Sequence, residues 1–113
     1  MEKIWQAAQG LQEELVAIRR DLHKHPETGW TEFRTASFVI KELEKLGYAV
    51  TYGAEVVDEA SMMGVPSNAD LEKYMARAIS EGADAELVAK MVGGKTGVVA
   101  VFDTGRPGKT VGF

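Results

Sequence analysis

The stretch Arg19-Arg20-Asp21-Leu22-His23-Lys24-His25-Pro26-Glu27-Thr28-Gly29-Trp30-Thr31-Glu32-Phe33 decides how this chain is laid out. Upstream of it and into its start, Ile4, Ala7, Ala8, Leu11, Leu15, Ile18 and Leu22 recur at three- and four-residue steps. That spacing predicts one amphipathic helix over 3–24 with a single apolar stripe. Arg19, Arg20 and Lys24 fall in its last turns, where cations suit the negative end of the helix dipole. Pro26 disfavours a helical His25, so the helix stops there. Downstream, Thr31 is the expected N-cap and Glu32 the first-turn acid of a second helix over 32–46. Phe33, Ala36, Ile40, Leu43 and Leu46 form its buried face, and Gly47 ends it.

Beyond this corner the periodicity changes. Tyr48-Ala49-Val50-Thr51-Tyr52 alternates and is rich in β-formers, which predicts a strand over 48–52. Residues 54–66 read as loop, with an apolar Ser61-Met62-Met63-Gly64-Val65-Pro66. Ser67 and Asp70 form a variant capping box for a helix over 68–81 that Gly82 ends. Asp84 caps a further helix over 85–92, stopped by Gly93-Gly94. Gly97-Val98-Val99-Ala100-Val101-Phe102 is an unbroken apolar run of strand length, the pattern of a strand covered on both faces. Burying one such large side chain is worth about 1.5–3 kcal/mol, so four of them demand a cover. Residues 103–108 are turn-rich, and Thr110-Val111-Gly112-Phe113 restarts a strand antiparallel to the last. The expected fold is therefore α/β: about four helices, a strand near 48–52 and a hairpin near 97–113.

The 113 residues suffice for one domain. A formal charge of −4 offers no basic excess to neutralise phosphates, which excludes nucleic acid and an anionic membrane as expected partners. With no cysteine, disulfides, thiolate metal sites and a thiol nucleophile are excluded within these residues. The first residues lack the apolar core of a signal peptide, so a cytoplasmic protein is the expectation.

Several side chains invite chemistry and have a plainer reading. His23 and His25 suggest a metal, but residues two apart point to opposite sides of a helix and no third ligand stands nearby. The plainer reading has His23 at the helix C-terminus or on a carboxylate, and His25 in the turn. Glu27 and Glu32 suit general acid–base work, or else serve as turn and first-turn carboxylates. Lys95 and Lys109 each sit in Gly-Lys-Thr, yet a phosphate-binding loop needs a glycine where Ala89 and Asp103 stand, and it opens a helix rather than a strand. Arg19, Arg20 and Lys24 read as a solvated helix end with ion pairs. Met62 and Met63 read as packing.

Arg19-Arg20-x-x-His23-x-x-Pro26-Glu27-x-x-x-x-Glu32-x-x-Thr35 resembles the N-terminal signature of the metal-dependent amidohydrolases of the aminoacylase and glutamate carboxypeptidase family, the twentieth metallopeptidase family. Gly97-Val98-Val99-Ala100 and Gly105-Arg106-Pro107-Gly108-Lys109-Thr110 resemble that family's next strand and hairpin. The roughly 40 residues between, 54–94, are similar to the insert of its aminobenzoyl-glutamate utilisation branch. The resemblance implies that 1–113 is a single incomplete N-terminal portion of a mixed-sheet catalytic domain, with a helical insert over 54–94. It implies a hydrolase of an amide bond to a C-terminal amino acid, of the aminobenzoyl-glutamate or N-acyl amino acid type. Such enzymes use two divalent ions, zinc or manganese, and pair as homodimers or with a paralogous subunit. The family's metal ligands and general base lie C-terminal to the strand that begins near Thr110. No catalytic, cofactor-binding or metal residue is therefore carried over; His23, Glu27 and Glu32 match as scaffold, and 1–113 alone is expected to be inactive and metal-free. The other reading is a small non-catalytic interaction module that associates through the open sheet edge at 97–102.

Overall fold

In the computed structural model, which describes residues 1–113, two helices lead into the corner. They are α1 (Glu2–Gly10) and α2 (Gln12–Lys24). The helix expected over 3–24 is thus interrupted at Leu11, whose N–H reaches Ala8 O at 3.1 Å. Gly10 explains the break, since glycine costs about 1 kcal/mol in a helix interior. After the corner come α3 (Phe33–Lys45) and β1 (Ala49–Tyr52). Single 3-10 turns at Gly53–Glu55 and Glu59–Ser61 lead to α4 (Asn68–Ser80) and α5 (Ala85–Lys90). A last 3-10 turn at Val92–Gly94 precedes β2 (Val98–Val101). The fold is α/β, as the sequence predicts, and the ends of α4 and α5 lie within two residues of expectation. Ser67 Oγ accepts from Asp70 N–H at 3.2 Å, and Asp84 Oδ1 accepts from Glu86 N–H at 2.9 Å, so both foreseen caps are made.

The hairpin expected over 97–113 does not form. β2 pairs antiparallel with β1 instead, Ala49 opposite Val101 and Tyr52 opposite Val98, and residues 102–113 form no strand. Pro107 lacks a ladder N–H, and glycines at 105, 108 and 112 weaken any strand there. β1 meets β2 because its end is drawn in: Gly53 N–H donates to Gly97 O at 3.2 Å. Only glycine suits position 53, where φ is +70° and a Cβ would stand 2.5 Å from Lys90 O.

The core lies between α3 and the helices of the 54–94 segment. Phe33, Ala36 and Ile40 of α3 pack with Leu71 and Ala78 of α4, Val88 of α5, and Met91. Four of these seven buried residues thus come from the segment, so it completes the face of α3. Three expectations about burial are corrected. Leu46, expected on the buried face of α3, is its C-cap and 67% exposed. The α1–α2 stripe is largely uncovered: Ile4 is 68% and Leu15 56% exposed, and only Ile18 and Leu22 at its end are half-buried. β2 is covered on one face only: Val98 and Ala100 turn toward the core side, while Val99 and Val101 are exposed. Just past β2, Phe102 lies against Tyr48, ring centroids 5.3 Å apart. No other element is present to lie on these faces. The accessible surface, 8563 Å², accordingly exceeds the roughly 6,100 Å² of a compact monomer of this mass.

The shared core predicts one cooperative transition. Ile40→Ala in α3 and Leu71→Ala in α4 should each lower stability by about 2–5 kcal/mol. Urea unfolding read by circular dichroism should show a single shifted midpoint for both. Separate transitions for α3 and α4 would refute the shared core.

Candidate functional site

The corner between α2 and α3 is held by side chains. His25 is the C-cap of α2, and its Nδ1–H donates to Asp21 O at 2.8 Å. A carbonyl only accepts, so Nδ1 carries a proton. The same Nδ1 is 3.5 Å from the Asp21 carboxylate. This is the helix-end role expected of His23. His23 is exposed and makes no hydrogen bond, because the i, i+4 relation to Asp21 belongs to His25.

Glu27, not Thr31, caps α3. Its Oε2 accepts from Arg34 N–H at 2.8 Å, and its Oε1 accepts from Thr35 N–H at 2.8 Å and Thr35 Oγ1–H at 2.7 Å. An anion at a helix N-terminus gains from both the free N–H groups and the dipole. Thr31 is buried and turned back, donating to Thr28 O at 2.8 Å and accepting Thr28 N–H at 3.0 Å. Glu32, at the cap position, makes no cap bond; its Oε2 accepts from Thr96 Oγ1–H at 2.9 Å.

Arg34 joins three segments. Nη1 and Nη2 donate to Asp21 Oδ2 and Oδ1 at 2.8 and 3.1 Å, and Nε donates to Glu81 O, at the C-terminus of α4, at 2.9 Å. The Arg34 hydrogen bond, the largest effect, holds the Asp21 carboxyl below its usual range against desolvation, with the charges of Arg34, His25 and Lys24 adding to it. The Ser61 hydroxyl does the same for Asp58, and Lys41 for Asp84. The residue-level reading missed Arg34. Its signal was an arginine in the first turn of a helix, where the dipole disfavours a cation unless carboxylates are near.

The other candidates are dispersed. Lys95 Nζ pairs with Glu59 Oε2 at 2.9 Å just before β2, and Lys109 is exposed beyond it; neither opens a helix. Arg19, Arg20 and Lys24 are exposed and form none of the ion pairs expected of them. Met63 is 84% exposed rather than packed, and the tie there is its carbonyl, which accepts from Trp30 Nε1–H at 2.7 Å. No three His, Asp or Glu side chains converge on a possible metal position.

One cleft of about 550 Å³ opens beside the corner, walled by Trp30, Glu32, Ala36, Val39, Thr96 and Val98. Trp30 stands in the left-handed region, φ 67°, which a bulky residue adopts only when its surroundings impose it. The constraint is visible: its indole is tied to Met63, and Gly94 presses so close that a Cβ there would lie 2.9 Å from Trp30 O.

This corner and the 54–94 segment have counterparts in known proteins, although no family model matches the chain. The chain is 46% identical over all 113 residues to a p-aminobenzoyl-glutamate hydrolase subunit of Escherichia coli (strain K12), covering 26% of that protein. It is 47% identical over 100 residues to indole-3-acetyl-aspartic acid hydrolase of Enterobacter agglomerans, 23% of that protein. The crystal structure of the aminobenzoyl-glutamate utilization protein from Klebsiella pneumoniae superposes on 91% of the chain with a TM-score of 0.87 at 43% identity, over 26% of that protein. The chain is thus similar along most of its length to part of each of these proteins. The resemblance carried by Arg19–Thr35 is borne out, and the match runs through residues 54–94 as well as the corner. The chain spans about a quarter of the length of the curated relatives it matches.

Two outcomes test the corner. Arg34→Ala should cost about 1–3 kcal/mol, leaving Glu81 O and Asp21 without their donor, and Glu27→Ala about 0.5–2 kcal/mol through the lost cap; chemical denaturation measures both. Asp21 also sets a pH response. Its folded pKa lies below the ordinary 3.8, so its contribution is full above that value and is lost as pH falls through the folded pKa. The urea midpoint should therefore drop on acidification below about pH 3.8, and Asp21→Asn should flatten that fall. An unchanged slope in Asp21→Asn would rule the pairing out as its source.

Proposed function

We propose that residues 1–113 are the N-terminal part of the catalytic domain of a metal-dependent hydrolase that cleaves an amide bond to a C-terminal amino acid. The observation that carries this is the 46% identity along the whole chain to a protein named for the hydrolysis of p-aminobenzoyl-glutamate. The second relative is named for indole-3-acetyl-aspartic acid, so both names describe an aromatic acyl group joined to an acidic amino acid. The substrate class proposed is that of such conjugates. The first relative is named as one subunit of its hydrolase, which supports pairing with a paralogous second one.

Two divalent ions, zinc or manganese, would polarise the scissile carbonyl and activate water in such an enzyme. The side chains of 1–113 do not fit such a pair. His25 Nδ1 is committed to Asp21 O, His23 stands apart on the helix surface, and no third ligand converges with either. Glu27 and Glu32 are engaged with α3 and with Thr96. What these residues contribute is a rigid corner and the wall of a cleft.

The test is release of p-aminobenzoate from p-aminobenzoyl-glutamate by the full-length gene product, with and without a chelator, beside residues 1–113 alone. Chelator-sensitive release by the full-length product and none by 1–113 is the expected result. No release from this amide or from indole-3-acetyl-aspartate would overturn the reading.

A further inference from the structure

The cleft beside Trp30 has a chemistry of its own. Its walls are largely apolar, from Trp30, Val39 and Val98, and they carry one carboxylate, Glu32. At about 550 Å³ it falls within the range of small-molecule sites. Glu32 Oε2 is occupied by the Thr96 hydroxyl, which fixes the carboxylate in the wall. Oε1 has no protein partner, and no buried side-chain oxygen lacks one, so Oε1 is open to solvent. A carboxylate accepts and cannot donate, and it repels anions. The N–H groups of Arg34 and Thr35 that would otherwise attract an anion at this helix end are taken by Glu27. The cleft therefore rejects the acidic amino-acid end of a conjugate and suits a flat apolar group that ends in a hydrogen-bond donor.

Resting on the hydrolase reading above, we propose that this cleft is the subsite for the aromatic acyl group, with its ring against Trp30, Val39 and Val98 and its N–H donating to Glu32. Two of the relatives matched along most of the chain are named for aminobenzoyl and indole-3-acetyl conjugates. Both groups are aromatic and both carry an N–H donor. The strained Trp30 has a purpose in this arrangement: the tie to Met63 and the close approach of Gly94 hold its indole as a fixed wall, and the insert thereby shapes the site.

The experiment is an NMR titration of residues 1–113 with p-aminobenzoyl-glutamate and with benzoyl-glutamate, which lacks the amine. The signals followed are the Trp30 indole N–H and the backbone amides of Thr96–Val98. The amino compound should shift these signals at millimolar concentrations, and benzoyl-glutamate should bind about tenfold more weakly, the loss expected for one hydrogen bond to a charged group. Glu32→Gln should shrink that difference, and Val39→Phe, which fills the cleft and leaves Glu32 in place, should abolish the shifts. Core amides of Ile40 and Val88 that stay in place show that each variant is folded. Equal binding of the two compounds, shifts that ignore both substitutions, or no shifts at all would each overturn the subsite. Binding is read here without turnover. A full-length product that hydrolyses the amide while the cleft stays empty rejects the subsite alone, and one that never hydrolyses it rejects the parent reading.

Discussion

The guanidinium of Arg34 is the constraint on which the arrangement depends. It grips both oxygens of Asp21 on α2, lies on α3, and closes the end of α4 through Glu81 O. Apolar burial adds little here, since no residue of α1 or α2 is fully buried and only Ile18 and Leu22 of their stripe are half-buried. The arm made by these two helices is thus fixed by polar geometry. The Arg34 side chain is only 15% exposed, so the pairing is shielded more than an ordinary surface ion pair. Glu27 acts beside it on the backbone, converting a free helix end into a satisfied one. Together the two residues set where α3 begins and how α2 approaches it.

Much of this was legible locally. Helix positions, the Ser67 and Asp84 caps and the glycine stops are written in spacing and in side chains that act within three residues. What escaped acts over distance. Glu27 reaches seven and eight residues to its amides, and Arg34 reaches thirteen and forty-seven. A cap was rightly expected for α3, and the nearest threonine was named because local rules see only near neighbours. The histidine pair was reversed for a similar reason: the i, i+4 partner, Asp21, decides which ring is held.

The strands show a different limit. An unbroken apolar run announces that a strand wants cover, without stating which element gives it or where its ladder partner lies. In the chain, β2 found β1 across the insert, and its outer face stayed open. Large apolar side chains stand exposed there and on the α1–α2 stripe. Such faces are interaction surfaces in waiting, whether the neighbour belongs to the rest of a longer chain or to another one.

The route from β1 to β2 has a topological consequence. Tyr52 and Val98, the nearest pair of the ladder, are 46 residues apart in sequence. Closing a slack loop of that length costs about 3 kcal/mol in chain entropy, before the constant term. Here the loop is not slack. Its helices pack on α3, and Gly53 and Gly97 meet at its neck. The register of two short strands is therefore set by helices that never touch the ladder's hydrogen bonds. A length change inside 54–94 that left every strand residue intact would still be felt as a slip in the sheet.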